Sequence, residues 1–282
     1  MLRNNIIGTG SFTFTDITAT ILPTPTIQDS WSAAWGDYDG DGRIDVFVGQ
    51  DNNTNSAGVL AGYDKGDVLK NNWPAPFTNT SAATGLNDAD FHQNEAWVDI
   101  DNDHDLDLLI GMEGPAKHQI YLQGPGQQFT AVGAAVGFQQ NFGYKGYGMA
   151  IGDTDGDGDL DVYISTCRTD NNIRNNFYEN QLVETGSLGF IDIAGNSPTD
   201  PNGNGTQNFR NTYGAEFLDF DNDGMLDLFL VGADGEKSKI YRNDGGNNFT
   251  DVDSITGQDL LTDTGNDLNG GRAVDYDNDG DL

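Results

Sequence analysis

Basic residues are scarce in this sequence: 13 Lys and Arg stand against 45 Asp and Glu in 282 residues, a formal charge of −32. With no Lys/Arg cluster to neutralise phosphates, the chain is expected to bind no nucleic acid, and an anionic membrane surface would repel it. No run approaches the 18 or so apolar residues of a spanning helix, so no membrane insertion is expected. The single cysteine, Cys167, cannot form an intrachain disulfide and offers no zinc spacing. It reads as a small, partly buried side chain. Eight prolines without a Gly-X-Y period exclude collagen. The opening residues Met1-Leu2-Arg3-Asn4-Asn5 carry neither the charged nor the apolar region of a signal peptide. Yet the chain is not too polar to fold. Hydrophobics at 36% and aromatics at 10% supply a core, and 38 glycines point to many tight turns.

What the sequence has instead is a repeat. The pattern Asp-x-Asp-x-Asp-[Gly/His]-x-x-Asp begins at Asp37, Asp99, Asp153, Asp219 and Asp275, 54 to 66 residues apart. Trp35, Trp97, Ile151, Phe217 or Ala273 lies two residues ahead of each first Asp. This position reads as packing between repeats. After each complete loop comes a short apolar run, Val46-Phe47-Val48, Leu108-Leu109-Ile110, Val162-Tyr163-Ile164 or Leu228-Phe229-Leu230. These runs are rich in β-branched and aromatic residues and read as buried strands. Further on lie Asp67-Val68-Leu69-Lys70, Gln119-Ile120-Tyr121-Leu122, Asn176-Phe177-Tyr178-Glu179 and Lys239-Ile240-Tyr241-Arg242, and then strands centred on Phe77, Phe129, Phe190 and Phe249.

Each unit thus offers four strands, A to D, with the acidic loop between A and B, and no segment has a helical period. The expected fold is all-β, a β-propeller of four-stranded blades forming one domain over 1–282. Successive blades are expected at 31–80, 94–130, 147–193 and 212–252. Residues 1–16 match strands C and D of a preceding blade, and 270–282 the start of a truncated one. About four and a half blades are visible, and both ends cut a unit, as in a fragment of a larger ring.

Carboxylates at loop positions 1, 3 and 5 converge when position 6 turns sharply; position 7 offers its carbonyl and position 9 closes the cage. Oxygen-only ligands in a flexible loop select a hard cation, Ca²⁺ before Mg²⁺. The candidate side-chain ligands are Asp37, Asp39, Asp41 and Asp45; Asp99, Asp101, Asp103 and Asp107; Asp153, Asp155, Asp157 and Asp161; and Asp219, Asp221, Asp223 and Asp227. The fifth loop supplies Asp275, Asp277 and Asp279 and lacks position 9. The carbonyl position falls on Arg43, Asp105, Asp159, Met225 and Asp281. Up to five calcium sites follow, one per loop. As plain solvated turns these loops would crowd like charges at about 1 kcal/mol or more per pair even near the surface. EF-hands are excluded, because position 12 is Val48, Ile110, Ile164 or Leu230 rather than Glu. His104 holds the turn position that is Gly42, Gly158, Gly224 and Gly280 elsewhere. Loop 2 is therefore expected to be the weakest complete site.

These residues resemble FG-GAP/VCBS repeat proteins: the aspartate loop with its apolar strand, the Ile240-Tyr241-Arg242-Asn243 and Phe249-Thr250-Asp251-Val252 phrases, and Val231-Gly232-Ala233-Asp234. The phrase Trp35-Gly36-Asp37-Tyr38-Asp39-Gly40-Asp41-Gly42 is especially similar to the ASPIC/UnbV and cartilage-acidic-protein branch. The resemblance implies the seven-bladed propeller of integrin α-subunit heads, an extracellular, cell-surface or periplasmic location, and calcium loops on one face with partners on the other. The resemblance does not specify an activity; the expected function is a calcium-stabilised adhesion or binding module for an extracellular protein or glycan, with no catalytic or cofactor-binding residue assigned.

The long B–C and D–A connections would form the partner face. They carry Tyr63, His92, Glu95, Phe142, Tyr144, Tyr147, Arg168 and Arg210. The alternative is a propeller lyase acting on acidic polysaccharide, with His92, Tyr144, Tyr147 and Arg168 as candidates. Trp31 and Trp73 remain unassigned.

Overall fold

The computed structural model describes residues 2–4, 13–22, 30–50, 66–86, 91–113, 118–138, 146–166, 175–194, 205–206, 212–232, 237–252 and 274. A short antiparallel pair comes first, β1 (Leu2–Asn4) with β2 (Phe14–Asp16), Leu2 opposite Asp16. Four four-stranded antiparallel sheets follow, each a meander with its strands in chain order. Sheet 1 is β3 (Ser30–Gly36), β4 (Asp45–Gln50), β5 (Asp67–Lys70) and β6 (Thr78–Asn79). Sheet 2 is β7 (Phe91–Val98), β8 (Asp107–Glu113), β9 (Gln119–Gly124) and β10 (Gln128–Ala131). Sheet 3 is β11 (Gly146–Gly152), β12 (Asp161–Thr166), β13 (Asn176–Asn180) and β14 (Phe190–Asp192). Sheet 4 is β15 (Thr212–Leu218), β16 (Asp227–Gly232), β17 (Lys239–Asn243) and β18 (Phe249–Asp251). The fold is all-β, and the sheets are propeller blades. Three single helical turns escaped the sequence reading: α1 (Thr18–Ile21), α2 (Ser81–Thr84) and α3 (Leu182–Thr185). Four residues are too few to show a helical period.

Strand alternation explains how the blades stack. Successive side chains of a strand point to opposite faces, so the second strands of sheets 1 to 3 each feed two cores. Leu108 and Ile110 of β8 join Phe47 and Val68 of sheet 1 and Tyr38 of its loop, whereas Leu109 between them joins Val162, Ile164 and Tyr178 of sheet 3. Tyr163 of β12 in turn packs with Leu228, Leu230 and Tyr241 of sheet 4. First strands of neighbouring sheets touch, β3 with β7, β7 with β11 and β11 with β15. Glycine permits the close approach at two of these contacts. A methyl group on Gly36 would lie 2.9 Å from Trp97, and one on Gly152 would lie 2.6 Å from Leu226 and 3.5 Å from Phe217.

The residues two ahead of each loop divide. Trp97, Ile151 and Phe217 pack against the cores between sheets. Trp35, expected to pack likewise, is 53% exposed. It borders an apolar hollow with Leu22, Val46 and Val48 on the outer side of sheet 1, where α1 covers only part of the face among the described residues. Ala273 lies outside those residues.

Candidate metal centres

All four complete loops have the same backbone. Position 1 folds back on the turn: Asp37 Oδ1 accepts the Asp41 N–H at 3.0 Å and Oδ2 the Gly42 N–H at 2.8 Å. Asp99 does the same with Asp103 and His104, both at 3.0 Å. Asp153 repeats it with Asp157 and Gly158, both at 3.1 Å, and Asp219 with Asp223 and Gly224 at 3.0 and 2.9 Å. The turn needs two left-handed residues, at positions 4 and 6. Gly40 and Gly42 have φ of 68° and 85°, Asn102 and His104 60° and 76°, Gly156 and Gly158 80° and 103°, and Asn222 and Gly224 59° and 91°. Position 4 escaped the sequence reading, although only Gly and Asn occur there, the two residues that best tolerate this conformation.

Position 9 is the anchor. Asp45, Asp107, Asp161 and Asp227 are essentially buried. Each reaches the end of the third strand of its sheet, accepting the backbone N–H of Asn71, Gln123, Asn180 or Asn243 at 2.7–2.9 Å. In loops 2 to 4 the second oxygen accepts the N–H of position 2, Ile100, Thr154 or Phe220, at 2.9–3.1 Å. Burial is the main cause that pushes these carboxyls up, to about 6 for Asp45 and Asp227 and about 7 for Asp107 and Asp161, against backbone donors that pull the other way.

The recurrent Tyr-x-Asn phrase has a function here that its spacing did not disclose. Asn180 Nδ2 donates to Leu160 O of its own loop and Ile100 O of the preceding one. Asn243 Nδ2 bridges Leu226 O and Thr154 O in the same way. These amides clasp neighbouring blades on the loop face.

The carboxylates converge in groups whose oxygens lie within 4.8 Å of one another: Asp37, Asp39 and Asp45; Asp99, Asp101 and Asp107; Asp219, Asp221 and Asp227; and in loop 3 Asp153, Asp155 and Asp157. Position 5 (Asp41, Asp103, Asp223) stands outside the triad in three loops, and Asp161 stands outside it in the third. In loop 3 the Thr154 hydroxyl as well as its N–H is bonded to Asp161. Position 5 instead accepts the N–H of position 7, from Arg43, Asp105, Asp159 or Met225, at 2.8–3.0 Å. Asp39 Oδ1, Asp45 Oδ2, Asp101 Oδ1 and Asp157 Oδ2 are buried with no hydrogen-bond partner. In loops 1 to 3 an oxygen-only donor set with orphaned carboxylate oxygens fits a divalent cation, and loop 4 has the same carboxylate spacing without such an orphan. The fifth loop, with Asp275, Asp277, Asp279 and Asp281, lies outside the described residues.

The loops differ in their surroundings. In loop 1, Lys70 Nζ of β5 is bonded to Asp39 and lies 3.2 Å from Asp41 Oδ2, and the Arg43 guanidinium also reaches Asp41, at 3.0 Å. The ammonium and the guanidinium thus offset part of the carboxylate charge of loop 1. The sequence reading missed Lys70 because it lies about thirty residues from the loop and reads as an ordinary strand residue.

Of the partner-face candidates, His92 is fully buried and packs edge-on against Phe47 at 5.7 Å, which corrects its reading as an accessible proton acceptor. Glu95 is buried too, its carboxyl pushed up to about 7 by desolvation and its Oε1 accepting the Ser32 hydroxyl at 2.8 Å. Tyr147 stacks edge-on with Tyr213 at 4.8 Å. Tyr63, Phe142, Tyr144, Arg168, Arg210 and Cys167 lie outside the described residues. A feature not read from sequence is a register shift at the start of every first strand, which skips Trp31, Gln93, Tyr147 and Tyr213. All four stand six positions before the first loop aspartate.

Among the described residues, no helix is long and apolar enough to cross a membrane. A search of curated proteins gives no match. Among solved structures, a lectin of Agrocybe aegerita, described by its specific recognition of non-reducing terminal N-acetylglucosamine, is similar at 15% identity and a TM-score of 0.40. The similarity covers 77% of this chain and 50% of the lectin, so the chain spans about half that structure's length. A family model described as an FG-GAP-like repeat matches residues 3–48, 99–164 and 219–282, more than half of the chain and all or part of each acidic loop. The repeated aspartate turn, the four-stranded sheet that follows it and this match agree, and the chain belongs to the FG-GAP-like repeat family.

Proposed function

We propose that this chain is a calcium-clamped propeller module that binds an extracellular protein or glycan through the face opposite its aspartate loops. The observation that carries the calcium reading is the set of buried carboxylate oxygens without partners in loops 1 to 3, within turns that the first aspartate folds back on itself. Calcium there is structural. It offsets like charge and, through Asp45, Asp107 and Asp227, locks the hairpin between first and second strands to the end of the third. A resident divalent ion also suits the millimolar calcium of an extracellular location.

Support for the binding face comes from the four bulges at the far ends of the first strands. Bulges re-aim a side chain, and here they repeat in every sheet, with Trp31 at 59% exposure and Tyr147 packed on Tyr213 in the next blade. At an affinity near 10⁻⁴ M in millimolar calcium, each loop would add about 1.4 kcal/mol by mass action. Four loops then supply about 6 kcal/mol, or a melting shift of roughly 10–20 °C for a chain of this size. Thermal melts in calcium and in EGTA test this; superimposable melts would refute the structural role. Binding is tested on glycan and extracellular-protein arrays with Trp31→Ala and Tyr147→Ala, which are expected to lower binding without lowering the calcium-dependent melting shift.

A further inference from the structure

The geometry points to a second cation site in sheet 3, held by Asp157, Asp159 and Glu184 beside the loop 3 site. One oxygen from each of these three carboxylates lies within 4.8 Å of the other two. Two oxygens that touch one calcium can be no farther apart than about 5.2 Å, twice the longest usual Ca–O distance. The spacing therefore suits a single ion.

A cluster of acids alone would prove little, but Asp159 adds an independent sign. It is 1% exposed, although it sits at the loop position where only the carbonyl was expected to serve. Its Oδ2 accepts the Val183 N–H at 2.9 Å, and its Oδ1 is buried with no hydrogen-bond partner. With Oδ2 taken by a backbone donor, Oδ1 is the oxygen of Asp159 left without a partner. An ionised carboxylate held dry with one bare oxygen is costly unless a cation meets it. Among the described residues, no Lys or Arg is ion-paired with Asp157, Asp159 or Glu184.

The backbone explains how the third ligand arrives. The chain after β13 makes the single turn α3, and the Val183 N–H that Asp159 accepts pins that turn over loop 3. Glu184 follows directly and brings its carboxylate to the cluster. No other described loop has these parts. Position 7 is Arg43 in loop 1 and Met225 in loop 4, and in loop 2 Asp105 is exposed and β9 and β10 are joined by the tight turn 125–127, with no helical turn. Asp157 belongs to both sites, its Oδ1 accepting the Asp159 N–H at 3.0 Å and its Oδ2 bare, so it can bridge two ions. The donors are all oxygen and Glu184 is exposed, which leaves room for water and favours Ca²⁺.

The choice of calcium rests on the function proposed above, and the test separates the two. Native mass spectrometry of the whole chain, stripped with EGTA and titrated with Ca²⁺, should count one ion fewer for Glu184→Gln than for the unsubstituted protein. Asp155→Asn should lose the loop 3 ion, and the double variant should lose two. Crystals soaked in Tb³⁺ should show two anomalous peaks beside loop 3, and one in Glu184→Gln. Equal calcium counts for Glu184→Gln and the unsubstituted protein, or a single terbium peak in the latter, would overturn the second site and leave the loop sites standing. No bound calcium in any variant would overturn both.

Discussion

Loops 1 and 3 share a backbone turn and differ in what surrounds it. Around loop 1 the chain supplies its own cations, Lys70 on Asp39 and Asp41 and Arg43 on Asp41. Around loop 3 it adds acid instead, with Asp159, Glu184 and Glu179, the last of these raising the Asp155 carboxyl behind burial and Asp157. One hairpin motif therefore runs from partly self-neutralised to strongly anionic within a single chain. The difference teaches that the aspartate spacing fixes the turn, while charges delivered by the third strand and the turn after it set how much uncompensated carboxylate charge the turn carries.

Calcium removal should expose this difference most strongly. Beyond the drop in melting temperature, hydrogen exchange in EGTA should deprotect β11–β13 more than β3–β5, because loop 1 keeps its lysine. Equal deprotection would break the comparison. Next in size is the anchor itself. Asp161 accepts the N–H groups of Asn180 and Thr154, whereas the bonds of Asp45 include one backbone donor, Asn71. In EGTA, Asp161→Ala should cost about 3 kcal/mol and Asp45→Ala about half that, read from denaturant midpoints, since each buried donor left unpaired costs about 1–3 kcal/mol.

The pH response has a definite sign. The four anchor carboxyls titrate at about 6 to 7 in the folded protein and at an ordinary value of 3.8 unfolded. Their folded values are raised, so the folded calcium-free chain binds more protons between those limits. Its stability should rise as pH falls from 7.5 toward 4, and fall as pH rises through 6 to 7. Melts in EGTA across that range measure it. In calcium the trend should reverse, because protons compete with the ion; parallel slopes in the two buffers would count against the ion meeting these groups.

Smaller effects sharpen the contrast loop by loop. Lys70→Met removes the competing ammonium and should tighten terbium binding at loop 1 by about threefold to tenfold, seen in a per-site luminescence titration; unchanged affinity would show that the lysine does not compete. His104→Gly should stabilise the chain by about 0.5–1 kcal/mol, since the left-handed φ of 76° strains a side chain but not glycine. A lower melting temperature for this variant would mean that the imidazole contributes more than its backbone costs.

Much of the site could be read along the chain. The aspartates, the turn at position 6 and the strand after the loop are local, and local spacing reports them. Lys70 and Glu184 could not be read, because their distance to a loop is set by strand pairing across about 25 to 30 residues. Trp35 was misread for a related reason: its equivalents Trp97, Ile151 and Phe217 are covered by neighbouring sheets, and coverage is not a property of the residue. His92 was misread as a loop residue, whereas it falls inside β7 and points into the core.

The sequence by itself determined the repeat, the four-strand order and the carboxylates that crowd each loop, because these depend on residue type and on separations of a few positions. Only the tertiary structure decided which oxygens are left bare, which loop carries a lysine and which a second set of acids, and which aromatic rings stay covered. Those outcomes arise where one strand or blade meets the next, and contact between distant segments is fixed by packing and register rather than by neighbours along the chain.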